Sequence, residues 1–525
     1  MKLYRAFATV GGLTMVSRVF GFIRDVMTAA VLGTGPVADA FFVAFRFPNL
    51  FRRLFGEGAF NSAFVPLFAK RLEGEDQSAA RKFAEEALAG LLFVLLLLTA
   101  VAEIAMPWLM YALAPGFSAD PAKFDLAVLL TQITFPYLVC ISLVALLSGV
   151  LNSLGRFSMA AAAPILLNVV LIGALLVAAA LGFNNSPGSG IVLAWGVAVA
   201  GLVQLAALWM AVRRAGLHLR LVRPVLSADM KRLITLGIPG VISGGVTQLN
   251  IAVGTIIASL QAGAISYLYY ADRLYQLPLS IVGVAIGVVL LPDLARNLRA
   301  GDHRSVMDNQ NRSIEFALLL TLPAAVALAV SAEPIIRVLF ERGAFTASDT
   351  LSTAAALAAF AIGLPAFVLI KVLQPAYFAR EDTRTPMRFA VWNMLLNVAG
   401  SVGLFILFSA LGVMPHVGIA LATSLSGWVN AYLLWSELTT RGHFEIDKRL
   451  KANTLAMVAA SVAMGALVWA LLFAFDASLR PAAGTLRQFA VLGLVFTFAL
   501  VVYACVVQMT GVLKWTDFLR RLTRR

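Results

Sequence analysis

Fourteen windows of about 20 apolar residues follow one another along this chain, and they constrain the fold more than any single motif. They lie at 8–33, 38–68, 83–105, 127–153, 161–182, 190–212, 233–259, 264–295, 312–331, 351–378, 388–411, 416–439, 453–474 and 486–510. A window of that length crosses the ~30 Å hydrocarbon core of a bilayer as a helix. In lipid the backbone must satisfy its own hydrogen bonds, which an α-helix does within one segment. The pattern predicts an all-α integral membrane protein with fourteen transmembrane helices. Composition agrees: 60% of the 525 residues are hydrophobic and 13% charged, against roughly 25% charged in soluble proteins. The second and eighth windows are long and interrupted by Pro48 and Pro278, as in bent helices that line a cavity. The first 22 residues mimic a signal peptide, but Arg18 interrupts the apolar run and no small-x-small cleavage site follows, so an uncleaved first span is expected.

Orientation follows from lysine and arginine. Alternate connections are strongly basic, from Lys2 and Arg5 through 69–82, Arg156, 213–232, 296–312, 380–388 and 441–451 to the tail. They hold 29 of the 41 basic residues, against five on the opposite side and seven within spans. Both termini are expected in the cytoplasm. The net charge of +14 is thus mainly a topology signal, and no nucleic-acid partner is expected. Cys140 and Cys505 lie in apolar runs and imply no disulfide framework. The four histidines lack metal-ligand spacing.

The first twelve spans read as two copies of a six-span unit offset by 226–229 residues. Pro66 matches Pro292, Pro107 and Gly116 match Pro334 and Gly343, and Phe135-Pro136 matches Leu364-Pro365. Leu166-Leu167-Asn168-Val169 recurs as Leu395-Leu396-Asn397-Val398. An even number of spans points both copies the same way, so a pseudo-two-fold axis along the membrane normal is expected. The expected organisation is an N-terminal lobe over 1–223, a C-terminal lobe over 224–445, and two extra spans with a basic tail over 446–525.

Against this apolar background, charges concentrate in the first two spans: Arg18, Arg24, Asp25, Asp39, Arg46, Arg52, Arg53 and Glu57. A charge at the bilayer centre costs on the order of 2.5–3.5 kcal/mol on insertion scales. Such a cluster must face a wet cavity or pair internally, and its excess of arginine suggests an anionic guest. The corresponding stretch of the second copy supplies Asp272, Arg273 and Gln276 among four tyrosines, with Arg273 offset from Arg46 by 227. Arginine suits phosphate because its fork donates two parallel hydrogen bonds and never deprotonates. Arg18, Arg24, Arg52 and Arg273 are the expected substrate-binding residues. Asp25, Asp39, Arg53, Glu57 and Asp272 are expected in gating or ion pairing. Lys371 is a further intramembrane cation, and Asn49, Asn168, Asn250 and Asn397 read as interhelical hydrogen-bonding residues.

The stretches SRVFGFIRD, DAFFVAFRFPNLFRRLFGEGAF and YYADRLYQLPLSIVGVAIG resemble the MurJ (MviN) family of bacterial lipid II flippases. That family belongs to the multidrug/oligosaccharidyl-lipid/polysaccharide exporter superfamily. The resemblance covers the whole chain. It implies a guest, undecaprenyl-diphosphate-linked disaccharide-pentapeptide, moved from the inner to the outer leaflet of the bacterial inner membrane for cell-wall synthesis and cell shape. It also implies that Arg18, Arg24, Arg52 and Arg273 line a central cavity, that Asp39 and Glu57 match further positions of interest, and that the last two spans groove the lipid tail. Cell-wall synthesis and division proteins are implied partners. Gln276 stands where many relatives carry glutamate, which puts in doubt any gating scheme that needs that acid. Some relatives bind sodium through acids in the seventh and eleventh spans; here 233–259 and 388–411 hold none, so that site is not carried over.

No resident cofactor is expected, and coupling to the membrane potential or to a monovalent cation is left open. A flippase for another lipid-linked oligosaccharide shares the diphosphate chemistry. A drug antiporter of the same superfamily needs cavity acids rather than arginines. An enzyme needs metal-binding acids or a nucleophile at a membrane face, and no such cluster stands out. A division scaffold without transport leaves the buried arginines unexplained.

Overall fold

In the computed structural model, residues 2–52, 61–74 and 77–512 are described; they form eighteen α-helices and no strand. The chain packs as two compact units, Met1–Ser266 with Arg342–Phe345, and Tyr267–Glu341 with Thr346–Arg525. The first unit contains α1 (Lys2–Leu32), α2 (Pro36–Arg52), α3 (Asn61–Gly74), α4 (Gln77–Leu113), α5 (Pro121–Thr134), α6 (Tyr137–Ser153), α7 (Phe157–Ala180), α8 (Pro187–Arg214) and α9 (Ala228–Ser259). The second holds most of α10 (Ala264–Arg299), then α11 (His303–Val330), α12 (Ala332–Phe340), α13 (Ala347–Phe378), α14 (Arg384–Ala410) and α15 (Pro415–Thr440). It ends with α16 (Lys448–Ala474), the short α17 (Asp476–Leu479) and α18 (Thr485–Met509).

Among the described residues, ten helical spans are long and apolar enough to cross a membrane. They match the expected third to sixth and ninth to fourteenth windows. The other four windows fall on α1, α2 with α3, α9 and α10, and three of these carry the intramembrane charge. The expected span 127–153 begins earlier than its apolar run. The Asp120 side chain caps α5 by accepting from the Lys123 backbone N–H at 3.2 Å, with Pro121 as first helical residue. That span divides into α5 and α6 at Phe135-Pro136, whereas the matching Pro365 lies inside an unbroken α13.

The repeat is visible in packing: α7 on α8, α6 on α8 and α4 on α6 are echoed by α14 on α15, α13 on α15 and α11 on α13. Gly116 packs against the end of α9, its N–H donating to Ser259 Oγ at 3.1 Å; a Cβ there would run into the Ser259 carbonyl. Its counterpart Gly343, at φ +59°, packs against the end of α1, where a Cβ would run into the Ala30 carbonyl. The next residue, Ala344, donates its N–H to that same carbonyl at 2.8 Å. Each copy's turn therefore seats on the first helix of the other copy. Both α9, which also packs on α3 and α4, and Arg342–Phe345 belong to the first unit.

Charges outside the spans close the second unit's connections. Partial burial alone would raise the Asp382 carboxyl. The Thr385 N–H at 3.0 Å, the Thr385 hydroxyl at 2.7 Å and the Arg441 guanidinium at 2.8 Å outweigh that and hold it down to about 2. Asp447 caps α16 and pairs with Arg312 of α11, which also pairs with the buried Glu315. These contacts tie α16 to α11, while α18 packs on α16 and α12.

Candidate functional site

The first cluster grows from α1. Arg24 and Asp25 are both buried, at 8% and 5% exposure. The guanidinium donates to Asp25 Oδ1 at 2.7 Å through Nη2 and 3.2 Å through Nε, and to Asn168 Oδ1 at 2.9 Å through Nη1. Asn168, on α7, returns its amide to the Ser17 carbonyl at 3.0 Å. It is an interhelical tie, as expected, and it also orients Arg24. The Arg24 guanidinium lies 5.9 Å from the Phe45 ring centroid, within cation–π range. Fixed in this way, Arg24 is pre-organised. Arg18, six residues earlier and half-buried, has no ion-pair partner among the described residues.

α2 adds Asp39, which is completely buried and saturated with donors. Lys123 Nζ donates to Oδ2 at 2.7 Å and the Gly263 N–H at 2.9 Å; Oδ1 accepts from the Ser266 N–H at 3.0 Å and Ser266 Oγ at 2.7 Å. Ser266 lies in the first turn of α10, so the carboxylate also meets that helix's positive dipole end. Lys123 Nζ lies 4.1 Å from the Phe117 ring centroid. The partnership was missed in the sequence because Lys123 reads as a loop residue; the Asp120-Pro121 helix start is the signal that places it in a first turn. Asp39 and Ser266 are 227 residues apart, the repeat offset, so two equivalent positions of the two copies bond to each other.

Arg46 donates to Thr255 Oγ1 of α9 at 3.0 Å. Arg52 closes α2, and its side chain lies outside the described residues, as do Arg53 and Glu57 entirely. Glu103 is an intramembrane acid not singled out in the sequence. Its Oε1 is buried and has no hydrogen-bond partner among the described residues, while its carbonyl accepts from Gln132 Nε2 at 3.2 Å.

The second cluster lies on α10. The Arg273 guanidinium sits 4.7 Å from the Tyr269 ring centroid and donates to the Tyr269 hydroxyl at 3.1 Å. Asp272 accepts from Gln276 one turn along. Tyr270 packs on Phe340, and Tyr275 on Phe360 and Phe367, which anchors this face of the helix. Lys371, on the α13 face one turn from Phe367, is exposed. Arg24 is thus held by Asp25 and the neutral Asn168, and Arg273 by the neutral Tyr269.

The sequence profile of the Lipid II flippase MurJ family matches residues 28–480. The chain belongs to that family. The probable lipid II flippase MurJ of Rhizobium tropici is 49% identical over 512 residues, covering 97% of this chain and 95% of the relative. Among solved structures, a lipid II flippase MurJ in an inward closed conformation aligns with a TM-score of 0.76 at 24% identity, covering 97% of this chain and 99% of that one. An inward-facing multidrug resistance MATE transporter of the MOP superfamily aligns at a TM-score of 0.65 and 14% identity over 83% of this chain and 98% of that one. Those two likenesses establish a shared fold. The MurJ family is one of multi-span flippases, not a catalytic family.

Proposed function

We propose that this chain is a lipid II flippase of the bacterial inner membrane. It carries undecaprenyl-diphosphate-linked disaccharide-pentapeptide from the cytoplasmic to the periplasmic leaflet by alternating access, with both termini cytoplasmic. The observation that carries this reading is how the first unit's acids are allocated. From residue 18 to residue 52 the sequence sets Arg18, Arg24, Arg46 and Arg52 against Asp25 and Asp39; Asp39 is consumed by Lys123 and the start of α10, and Asp25 pairs with Arg24. A membrane-embedded cluster with that surplus of guanidinium is stabilised by an anion, and a diphosphate fits its forked donors. Arg18, Arg24, Arg52 and Arg273 are the proposed diphosphate ligands. Asp25, Arg53, Glu57 and Asp272 are the proposed gating partners. The exposed apolar faces of α16 and α18, with Leu455, Trp469, Phe473 and Leu494 well exposed, are the proposed track for the lipid tail.

The test is complementation in a bacterium depleted of its own flippase, read as lipid II exposed on the outer leaflet. The chain restores exposure; Arg24→Ala and Arg273→Ala, matched for membrane abundance, do not. A folded, abundant native chain that leaves exposure at zero rejects the reading. An inside-negative potential is worth roughly 2.3 kcal/mol per charge per 100 mV, so potential-driven cycling is a further hypothesis; equal flipping rates in polarised and depolarised vesicles reject it.

A further inference from the structure

A cavity of about 420 Å³ opens in the first unit between α1, α6, α7 and α8, within the size range of small-molecule pockets. Its polar lining is Thr14, Ser148, Asn152 and Gln204; Phe157 and Pro164 stand among its apolar walls. None of the described residues lining it carries a charge. Gln204 is committed: its Oε1 accepts from the Tyr137 hydroxyl at 3.3 Å, and its Nε2 donates to the Ala163 carbonyl at 2.8 Å. Thr14 donates to the Val10 carbonyl at 2.8 Å and keeps its acceptor capacity. Ser148 Oγ and the Asn152 carboxamide, four residues apart on one face of α6, have no protein partner among the described residues. Thr14 is four residues before Arg18 on the same face of α1, about 6 Å of helix rise away.

We infer that this pocket takes the uncharged saccharide of the headgroup, an inference that rests on the flippase reading. A cation would need an acid and a carboxylate would need a base, and the lining offers neither. An acyl chain would leave the Ser148 hydroxyl and Asn152 amide unpaired. A sugar presents alternating hydroxyl and C–H surface, which matches free hydroxyl and carboxamide groups set among aliphatic walls. Connectivity agrees, because the sugar is bonded directly to the diphosphate. With the phosphates on Arg18, the next group along the headgroup falls at Thr14 and the pocket.

The experiment uses the full-length protein in nanodiscs and compares its affinity for undecaprenyl diphosphate with that for undecaprenyl-diphosphate-linked disaccharide lacking the peptide. The native protein prefers the disaccharide form by about tenfold, the worth of one or two well-made hydrogen bonds. The double variant Ser148→Ala/Asn152→Leu loses that preference and still binds the bare lipid diphosphate, which also reports that it is folded. Ala145→Leu, which fills the pocket without touching a polar group, loses it too. A native protein with no preference, or variants that keep it in full, overturns the inference while leaving the diphosphate site standing. Phospholipid displaced by Ala145→Leu with the preference intact makes the pocket an acyl-chain site and overturns it as well. A native protein that binds neither ligand removes the flippase reading itself.

Discussion

The two copies of the repeat solve the same packing problem identically and the charge problem differently. Gly116 and Gly343 both press a turn onto the first helix of the other copy, against Ser259 and Ala30. The charges do not follow that symmetry. α1 carries Arg18, Arg24 and Asp25, whereas residues 233–259 of its counterpart α9 carry no charge. Asp39 in the first copy is Ser266 in the second, and the two bond to each other. Backbone approach is a steric requirement that both copies share. Charge placement answers to the guest, and an asymmetric guest does not require it twice.

The largest break in the comparison comes from Asp39. Asp39→Ala strands a buried Lys123 and costs about 3–5 kcal/mol, seen as a fall in the thermal unfolding midpoint in detergent. Ser266→Ala, at the equivalent position, costs only about 1 kcal/mol. Adding Lys123→Met to Asp39→Ala recovers much of the loss; if it recovers none, the ion pair is not what the site is for. Next come the turns. Gly116→Ala and Gly343→Ala each push a Cβ into a carbonyl and cost roughly 1–3 kcal/mol, with Gly343→Ala the worse because its φ of +59° adds strain. Loss from only one of the two would break the symmetry of the exchange.

The guanidiniums separate the copies by function. Arg24→Lys keeps the charge but cannot bridge Asp25 and Asn168 together, and flipping falls about tenfold. Arg273→Lys keeps a cation over Tyr269 and loses less; an equal loss in both would mean that the fork matters equally in the two clusters. The smallest effect lies outside the spans. Asp382 is held below its usual range, so its contribution is present above pH ~4 and is lost as pH falls through about 2. Asp382→Asn removes that slope from an acid unfolding curve. The matching connection at Leu154–Arg156 holds no acid, so substitutions there leave the slope unchanged.

Much of this was legible in the chain. Hydropathy located the ten spans on α4 to α8, α11, α13 to α16 and α18 to within a few residues, except where α4 runs on to Leu113, α11 starts at His303, and Asp120-Pro121 starts a helix ahead of its apolar run. The offset of Gly116 from Gly343 was readable as a repeat, and the arginines were readable as misplaced charge. Their partners were not. Asn168 is 144 residues from Arg24 and Lys123 is 84 from Asp39, and no periodicity connects positions that meet only after packing.

By itself the sequence determined that this chain is helical, spans a membrane, is duplicated, and places an excess of arginine where lipid would reject it. These properties follow from residue type and local spacing, which fix hydropathy and backbone preference. Tertiary structure alone decided which acid neutralises which base, that Asp39 serves Lys123 and α10 rather than an arginine, that the repeats exchange turns, and that an uncharged cavity opens one turn from Arg18. Those depend on the distance between residues remote in sequence, and electrostatic and steric energies change steeply over a few ångströms.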